Sequence, residues 1–117
     1  MATVSGAADP IEQVEIQEFS YTIDNLGLDG SGNRSVMRGA RSELRAFAVV
    51  IRSRSGAVGE YVSSHSGKSG VLVSQVRGLA PLILGEGAEA REAIFNKLKR
   101  AHRHFMAVGH SAIDICL

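Results

Sequence analysis

At 117 residues and 12.4 kDa the chain is one domain long, enough to bury roughly 65% of its unfolded surface without a disulfide or metal staple. Hydrophobic residues at 44% and charged residues at 21% are ordinary globular values, and a net charge of +1 gives no general pull toward nucleic acid or membrane. The single cysteine, Cys116, excludes an internal disulfide and suits a cytoplasmic location; residues 1–10 carry no secretory signal, and no apolar run reaches the ~18 residues of a membrane span.

Residues 1–10 are mostly small and polar and read as a disordered tail. Residues 11–22 read as a strand, with Val14 and Ile16 on one face and Phe19 and Tyr21 on the other. That change of face calls for a bulge or twist near Gln17. Residues 23–42 hold Gly27, Gly30, Gly32 and Gly39 and keep neither a strand nor a helix period. An irregular stretch longer than about 12–15 residues in a compact domain is often a functional lid. Residues 43–53 make the strongest strand: Leu44, Ala46, Ala48 and Val50 face one way, Phe47, Val49 and Ile51 the other. Apolar residues on both faces predict a central strand buried on both. Arg54-Ser55-Gly56 signals a turn, residues 57–63 complete a hairpin, and residues 64–68 form a second loop.

Helical periodicity begins after Ser69, a candidate N-cap, with Leu72, Val76, Leu79 and Ile83 on one stripe. Pro81 is expected to close or kink this helix about one residue earlier. After the Gly85-Glu86-Gly87 break, residues 89–106 form a second helix with the stripe Ala90, Ile94, Leu98, Ala101 and Phe105, ended by Gly109. Its acids come early and its bases late, as the helix dipole favours. Residues 111–117 start a third helical run with no closing cap, leaving apolar surface that wants a partner.

Charge is unevenly placed. Residues 1–29 hold six acids and no Lys or Arg, while residues 30–59 hold six arginines and only Glu43 as an acid. The simplest account is that the two segments pair as neighbouring strands with opposite charges on their exposed positions. The alternative is that the loop arginines serve an anion.

Short motifs carry little. Gly67-Lys68-Ser69 before a helix lacks the glycine a phosphate loop needs at position 62, which is Val62. Gly30-Ser31-Gly32 is too short for a dinucleotide fingerprint. His102 and His104 fall on different sides of a helix; His110 and Asp114 share a face but lack a third ligand nearby. Ser63, Ser64 and His65 are adjacent in sequence, which is not how a catalytic triad is assembled. The bases of the second helix, Lys97, Lys99, Arg100 and Arg103, read as a solvated face rather than a nucleic-acid site, because no aromatics interleave with them for stacking.

Three stretches, in this order and spacing, resemble the N-terminal domain of the mandelate racemase and muconate-lactonizing group of the enolase superfamily. They are Arg45-Ala46-Phe47-Ala48-Val49-Val50-Ile51 through Gly56 to Val58-Gly59-Glu60, then Leu79-Ala80-Pro81-Leu82-Ile83-Leu84-Gly85, then Ser111-Ala112-Ile113-Asp114-Ile115-Cys116-Leu117. Together they cover residues 11–117. The family often has Asp-Pro shortly after the second stretch, where this chain has Gly87-Ala88.

The resemblance implies an α+β fold, a three-stranded antiparallel β-meander followed by a helical bundle. It implies a domain over residues 11–117 that caps a (β/α) barrel of about 250 residues. That barrel, absent from this chain, carries the Mg²⁺ carboxylates and the acid/base groups of a racemase, dehydratase or cycloisomerase, so no catalytic or metal residue is expected here. The cap contributes two loops over an anionic carboxylate or acid-sugar substrate. The substrate-loop candidates are Asn25, Arg34, Arg38, Tyr61, Ser64, His65 and Lys68, with Arg41 beside the first group. The rival expectation is a free-standing interaction module that dimerises through residues 111–117. A homo-oligomer is compatible with either.

Overall fold

The architecture is organised around its middle strand. The computed structural model describes residues 8–24, 41–63, 69–103 and 109–117. They form β1 (Ile11–Ile23), β2 (Ser42–Ser53), β3 (Val58–Val62), α1 (Ser69–Ile83), α2 (Arg91–Ala101) and α3 (His110–Cys116). The sheet is antiparallel in the order β1-β2-β3, a meander with the three helices following it, as the sequence predicts.

Only one face of β2 is fully covered. Phe47, Val49 and Ile51 are buried, joined by Ile11 and half-buried Val14 and Ile16 from β1. Onto this face pack Val73, Val76, Leu79 and Ile83 of α1, Ile94 and Leu98 of α2, and Ala112, Ile113 and Cys116 of α3. Each fully buried aliphatic side chain of this kind is worth about 1.5–3 kcal/mol. The opposite face departs from the expectation of two-sided burial. Ala46 is covered, but Leu44, Ala48 and Val50 are half-buried, and Phe19, Tyr21 and Val62 are exposed. The Phe19 and Tyr21 rings stack on each other there, centroids 6.4 Å apart. Among the described residues, the buried helix side chains gather on the other face, with Phe47, Val49 and Ile51.

The strand irregularity also lies elsewhere than expected. β1 pairs with β2 in unbroken register from Gln13↔Arg52 to Ile23↔Ser42, straight through Gln17. The shift falls between Ile11 and Gln13. It turns Ile11 onto the same face as Val14 and Ile16, which is why an odd-numbered residue can join an even-numbered core. Phe19 and Tyr21 need no bulge, being simply the outward set of a regular strand. Among the described residues the charges pair between the two segments: Glu12 with Arg54 (2.7 Å), Glu15 with Arg52 (4.0 Å) and Asp24 with Arg41 (3.1 Å). On the helix side, Glu18 pairs with Arg77 of α1.

The helices differ from expectation at their ends. Ser69 opens α1; its side chain lies outside the described residues. α1 runs through Pro81 to Ile83. The amide that proline lacks would have bonded the Arg77 carbonyl one turn back, on an exposed side where water can take its place. Meanwhile Ile83, with no exposed surface, holds the last turn down. Gly85, at φ +84°, then turns the chain away. α2 is shorter than the residues 89–106 expected. Its buried residues are Ile94 and Leu98, Ala101 is exposed, and the His102 amide closes the end on the Leu98 carbonyl. With Ala101 exposed, packing does not support another turn; Phe105 lies outside the described residues. Gly109 therefore does not end α2 but precedes α3.

α3 corrects the expectation of an unpartnered apolar tail. Ala112, Ile113 and Cys116 are buried within the domain, and the Cys116 thiol lies 3.6 Å from the Val49 carbonyl. Of the large apolar residues in α3, Ile115 stays exposed. Gly59 of β3 makes this docking possible: a Cβ there would fall 1.7 Å from the Cys116 carbonyl oxygen.

The start of the chain is woven in earlier than a tail beginning at residue 1 and ending at residue 10 would allow. The Asp9 carboxylate accepts from the Ser55 amide (2.8 Å) and hydroxyl (2.7 Å). Pro10 bridges to Gly87, the Ile11 amide donates to the Glu86 carbonyl (2.8 Å), and the Gly85 amide donates to the Ile11 carbonyl (2.8 Å). The Arg54 amide donates to the Pro10 carbonyl (2.9 Å). One short strip thus ties the β2–β3 turn to the α1–α2 connection.

Candidate functional site

Antiparallel order fixes where the connections emerge. β1 ends and β2 begins at the Ile23↔Ser42 pair, and β3 runs toward the same end of the sheet but stops at Val62, opposite Ala48. The 24–41 and 63–68 connections therefore leave the sheet in the same direction, the second from beside the middle of β2. The stems that launch them are defined. The first is closed by the Ile23↔Ser42 pair and, beyond it, the exposed Asp24–Arg41 ion pair. Arg41 is thus engaged with a carboxylate of its own domain.

The second stem is fastened inside. The Ser63 amide donates to the Phe47 carbonyl (2.9 Å), and the Phe47 amide donates to the Ser63 hydroxyl (2.9 Å). Ser63 is buried, so its hydroxyl serves the sheet. Tyr61, two residues earlier, is half-buried with its ring 6.0 Å from that of Phe47, tilted by 52°. It stands at the rim of the core on the helix side. Of the other substrate-loop candidates, Asn25, Arg34, Arg38, Ser64, His65 and Lys68 lie outside the described residues, as do the phosphate-loop-like Gly67-Lys68 and the Gly30-Ser31-Gly32 stretch.

The described residues hold groups with structural rather than chemical employment. Burial, aided by Glu60, pushes the Cys116 thiol up to about 11, so it is protonated at neutral pH and a poor nucleophile. The Asp9 carboxyl is held below its ordinary value by the Ser55 hydroxyl and amide, in the role of a turn cap. Among the described residues no three of His, Cys, Asp and Glu gather as a metal site would require. Carboxylates of β1 are instead matched to arginines, and Lys97 of α2 to Glu86 (2.7 Å). These residues do not fit a Mg²⁺ ion.

One association was invisible in the sequence. His102, just past α2, stacks on His110, the first residue of α3, with ring centroids 5.4 Å apart. Their spacing of eight residues carries no signal unless the break between the two helices is known.

Comparison with solved structures follows this geometry. The L-talarate/galactarate dehydratase of Salmonella typhimurium LT2 superposes over 99% of this chain and 31% of its own, with TM-score 0.74 and 24% identity. The chain has the fold of the enolase-superfamily N-terminal domain. An enolase-superfamily member from Agrobacterium tumefaciens matches over 92% of this chain and 33% of its own (TM-score 0.64, 20% identity). A protein assigned to the mandelate racemase/muconate lactonizing enzymes from Sorangium cellulosum matches over 90% and 29% (TM-score 0.66, 17% identity). The chain thus spans about a third of the length of the structures it matches. The Salmonella dehydratase has also been solved with Mg and L-lyxarohydroxamate. No protein-family model and no curated protein matches the sequence. Among the described residues no helix is long and apolar enough to cross a membrane.

Proposed function

We propose that this chain is the capping and substrate-selecting domain of a Mg²⁺-dependent enolase-superfamily enzyme, a racemase, dehydratase or cycloisomerase of a carboxylate or acid-sugar substrate. The observation that carries this reading is the fold match, nearly complete on this chain and confined to about a third of the dehydratase. In this reading the Mg²⁺ and the groups that move the substrate's proton belong to a barrel of about 250 residues outside this chain. The cap's own work is to exclude water and choose the substrate.

The two connections leaving the sheet in the same direction are the means. They carry Asn25, Arg34, Arg38, Ser64, His65 and Lys68, with Tyr61 at the foot of the second. Guanidinium groups on such a lid would recognise a carboxylate by paired charge-assisted hydrogen bonds. Arg34 and Arg38 are the better candidates than Arg41, which Asp24 already holds. A cytoplasmic enzyme agrees with an unpaired thiol kept buried at Cys116.

The test is the intact mass of the native gene product. A product heavier than this chain by a barrel, about 250 residues, is expected. A product of 12.4 kDa would end the enzyme reading and leave an interaction module. In the barrel-containing protein, Arg34→Gln with Arg38→Gln should raise KM for an acid-sugar substrate by about tenfold or more, as for lost charged hydrogen bonds worth ~1.5–3 kcal/mol. An unchanged substrate profile would remove the arginines from the lid.

A further inference from the structure

Between the end of α2 and the start of α3 the chain is fastened at two adjacent points. The Gly109 amide donates to the Gln75 side-chain carbonyl on α1 at 2.7 Å. The fit there is close, since a Cβ at Gly109 would lie 2.7 Å from the Gln75 Cβ. Next to it the His110 ring is 5% exposed and lies over His102, the two planes inclined by 29°. His110 Nε2 is buried and, among the described residues, has no hydrogen-bond partner.

A neutral imidazole suits this place and an imidazolium does not. Protonated, both ring nitrogens become donors, and among the described residues Nε2 has no acceptor to meet. A buried charge without a partner is costly. The neighbour in the stack is a second imidazole, which opposes a positive charge on His110. The start of a helix is also the wrong end for a positive charge.

We propose that the His102–His110 stack is an acid-released clasp, holding the start of α3 against α1 and α2 while His110 is neutral and freeing it on protonation. The groups around His110 agree. On the α2 side stand His102 and the exposed Arg103; on the α1 side is the uncharged Gln75, bonded through Gly109. In α3 itself Asp114 is exposed one turn on. The sheet meets α3 at its far end, through the Val49 carbonyl and Glu60, both bearing on Cys116.

Burial first, and then His102, lowers the His110 pKa from its ordinary 6.5. Above 6.5 both folded and unfolded chains carry the neutral ring and the clasp is at full strength. As pH falls below 6.5 the unfolded chain takes up its proton first, so stability drops until the folded pKa is passed.

The experiment is a pH series on the 117-residue chain, following the His110 ring by NMR and the Gly109 amide by hydrogen exchange. His110 should titrate below 6.5. Over the same interval Gly109 should lose about tenfold or more of its protection beyond the intrinsic pH effect, as for a local opening. His110→Gln should flatten the pH dependence of the urea midpoint in this range, and His102→Gln should move the His110 titration back toward 6.5. Titration of His110 at or above 6.5, or Gly109 protection indifferent to it, would overturn the clasp. Both readouts come from the unaltered chain, so they stand even where a variant fails to fold.

Discussion

The two ends of the sheet are tied in different proportions. At the hairpin end main-chain contacts predominate: Ile11 with Glu86 and Gly85, Pro10 with Arg54, and α3 laid against Gly59 with no room for a side chain, to which Asp9 on Ser55 and Glu12 on Arg54 add side-chain ties. Toward the other end a single main-chain bond, from the Ser63 amide to the Phe47 carbonyl, stands beside the Ser63 hydroxyl on the Phe47 amide and Asp24 on Arg41. Main-chain ties are indifferent to most substitutions, whereas side-chain ties can be exchanged one at a time. The end toward which the 24–41 and 63–68 connections leave can therefore vary while the opposite end keeps the fold.

Substitutions at four positions test this contrast. The largest effect belongs to the hairpin end. Gly59→Ala sets a methyl group against the Cys116 carbonyl and should cost about 3 kcal/mol, because the clash is with backbone that cannot rotate aside. Urea unfolding would read it, and a loss within experimental error would mean that α3 is not seated as described. Next is Ser63→Ala, which leaves the Phe47 amide buried without an acceptor and should cost about 1–2 kcal/mol. Ser63→Thr should recover much of that if the hydroxyl is what matters.

The smallest effects come from paired exposed charges, and here the two ends should part. Asp9 titrates below its ordinary 3.8 in the folded chain, chiefly through the Ser55 hydroxyl. Its contribution is complete above 3.8 and is lost as pH falls through the lower folded value. Asp9→Asn should therefore remove part of the acid sensitivity of unfolding below pH 3.8. Arg41→Gln, at an ion pair open to water, should change stability by no more than about 0.5 kcal/mol at neutral pH. Equal acid-unfolding curves for Asp9→Asn and the parent chain would erase the difference between the ends.

Much of this fold was legible because the sequence states it twice. β2 shows in its alternation and again in the Gly56 turn that follows, at φ +94°. α1 shows in the Leu72–Ile83 stripe and in the glycine past its end. Sequence and structure part where one rule meets its surroundings. Alternation predicts a bulge at Gln17 only if Phe19 and Tyr21 need burial, and they stand exposed on the open face. Proline is expected to stop α1, but Ile83 is buried deeply enough to hold the final turn. α2 ends early with Ala101 exposed, a fact of packing that periodicity does not contain.

The site was less legible than the fold. Of its candidate residues Tyr61 is the one placed, at the core rim beside Phe47. The His102–His110 stack joins residues on two helices whose boundary no motif announces.

The bridge between Pro10 and Gly87 also bears on how the molecule is made. Synthesis proceeds from the amino end, so the first strand leaves the ribosome well before its lower partner exists. The β2–β3 hairpin can close as soon as Val62 has emerged, because its contacts are local. The strip through Asp9, Pro10 and Ile11 must wait for Gly85 to Ala88, at the cost of closing a long loop. Until then β1 is held by β2 and, through Glu18 and Arg77, by α1, and the strip at Asp9 to Ile11 is timed by the arrival of the turn after α1.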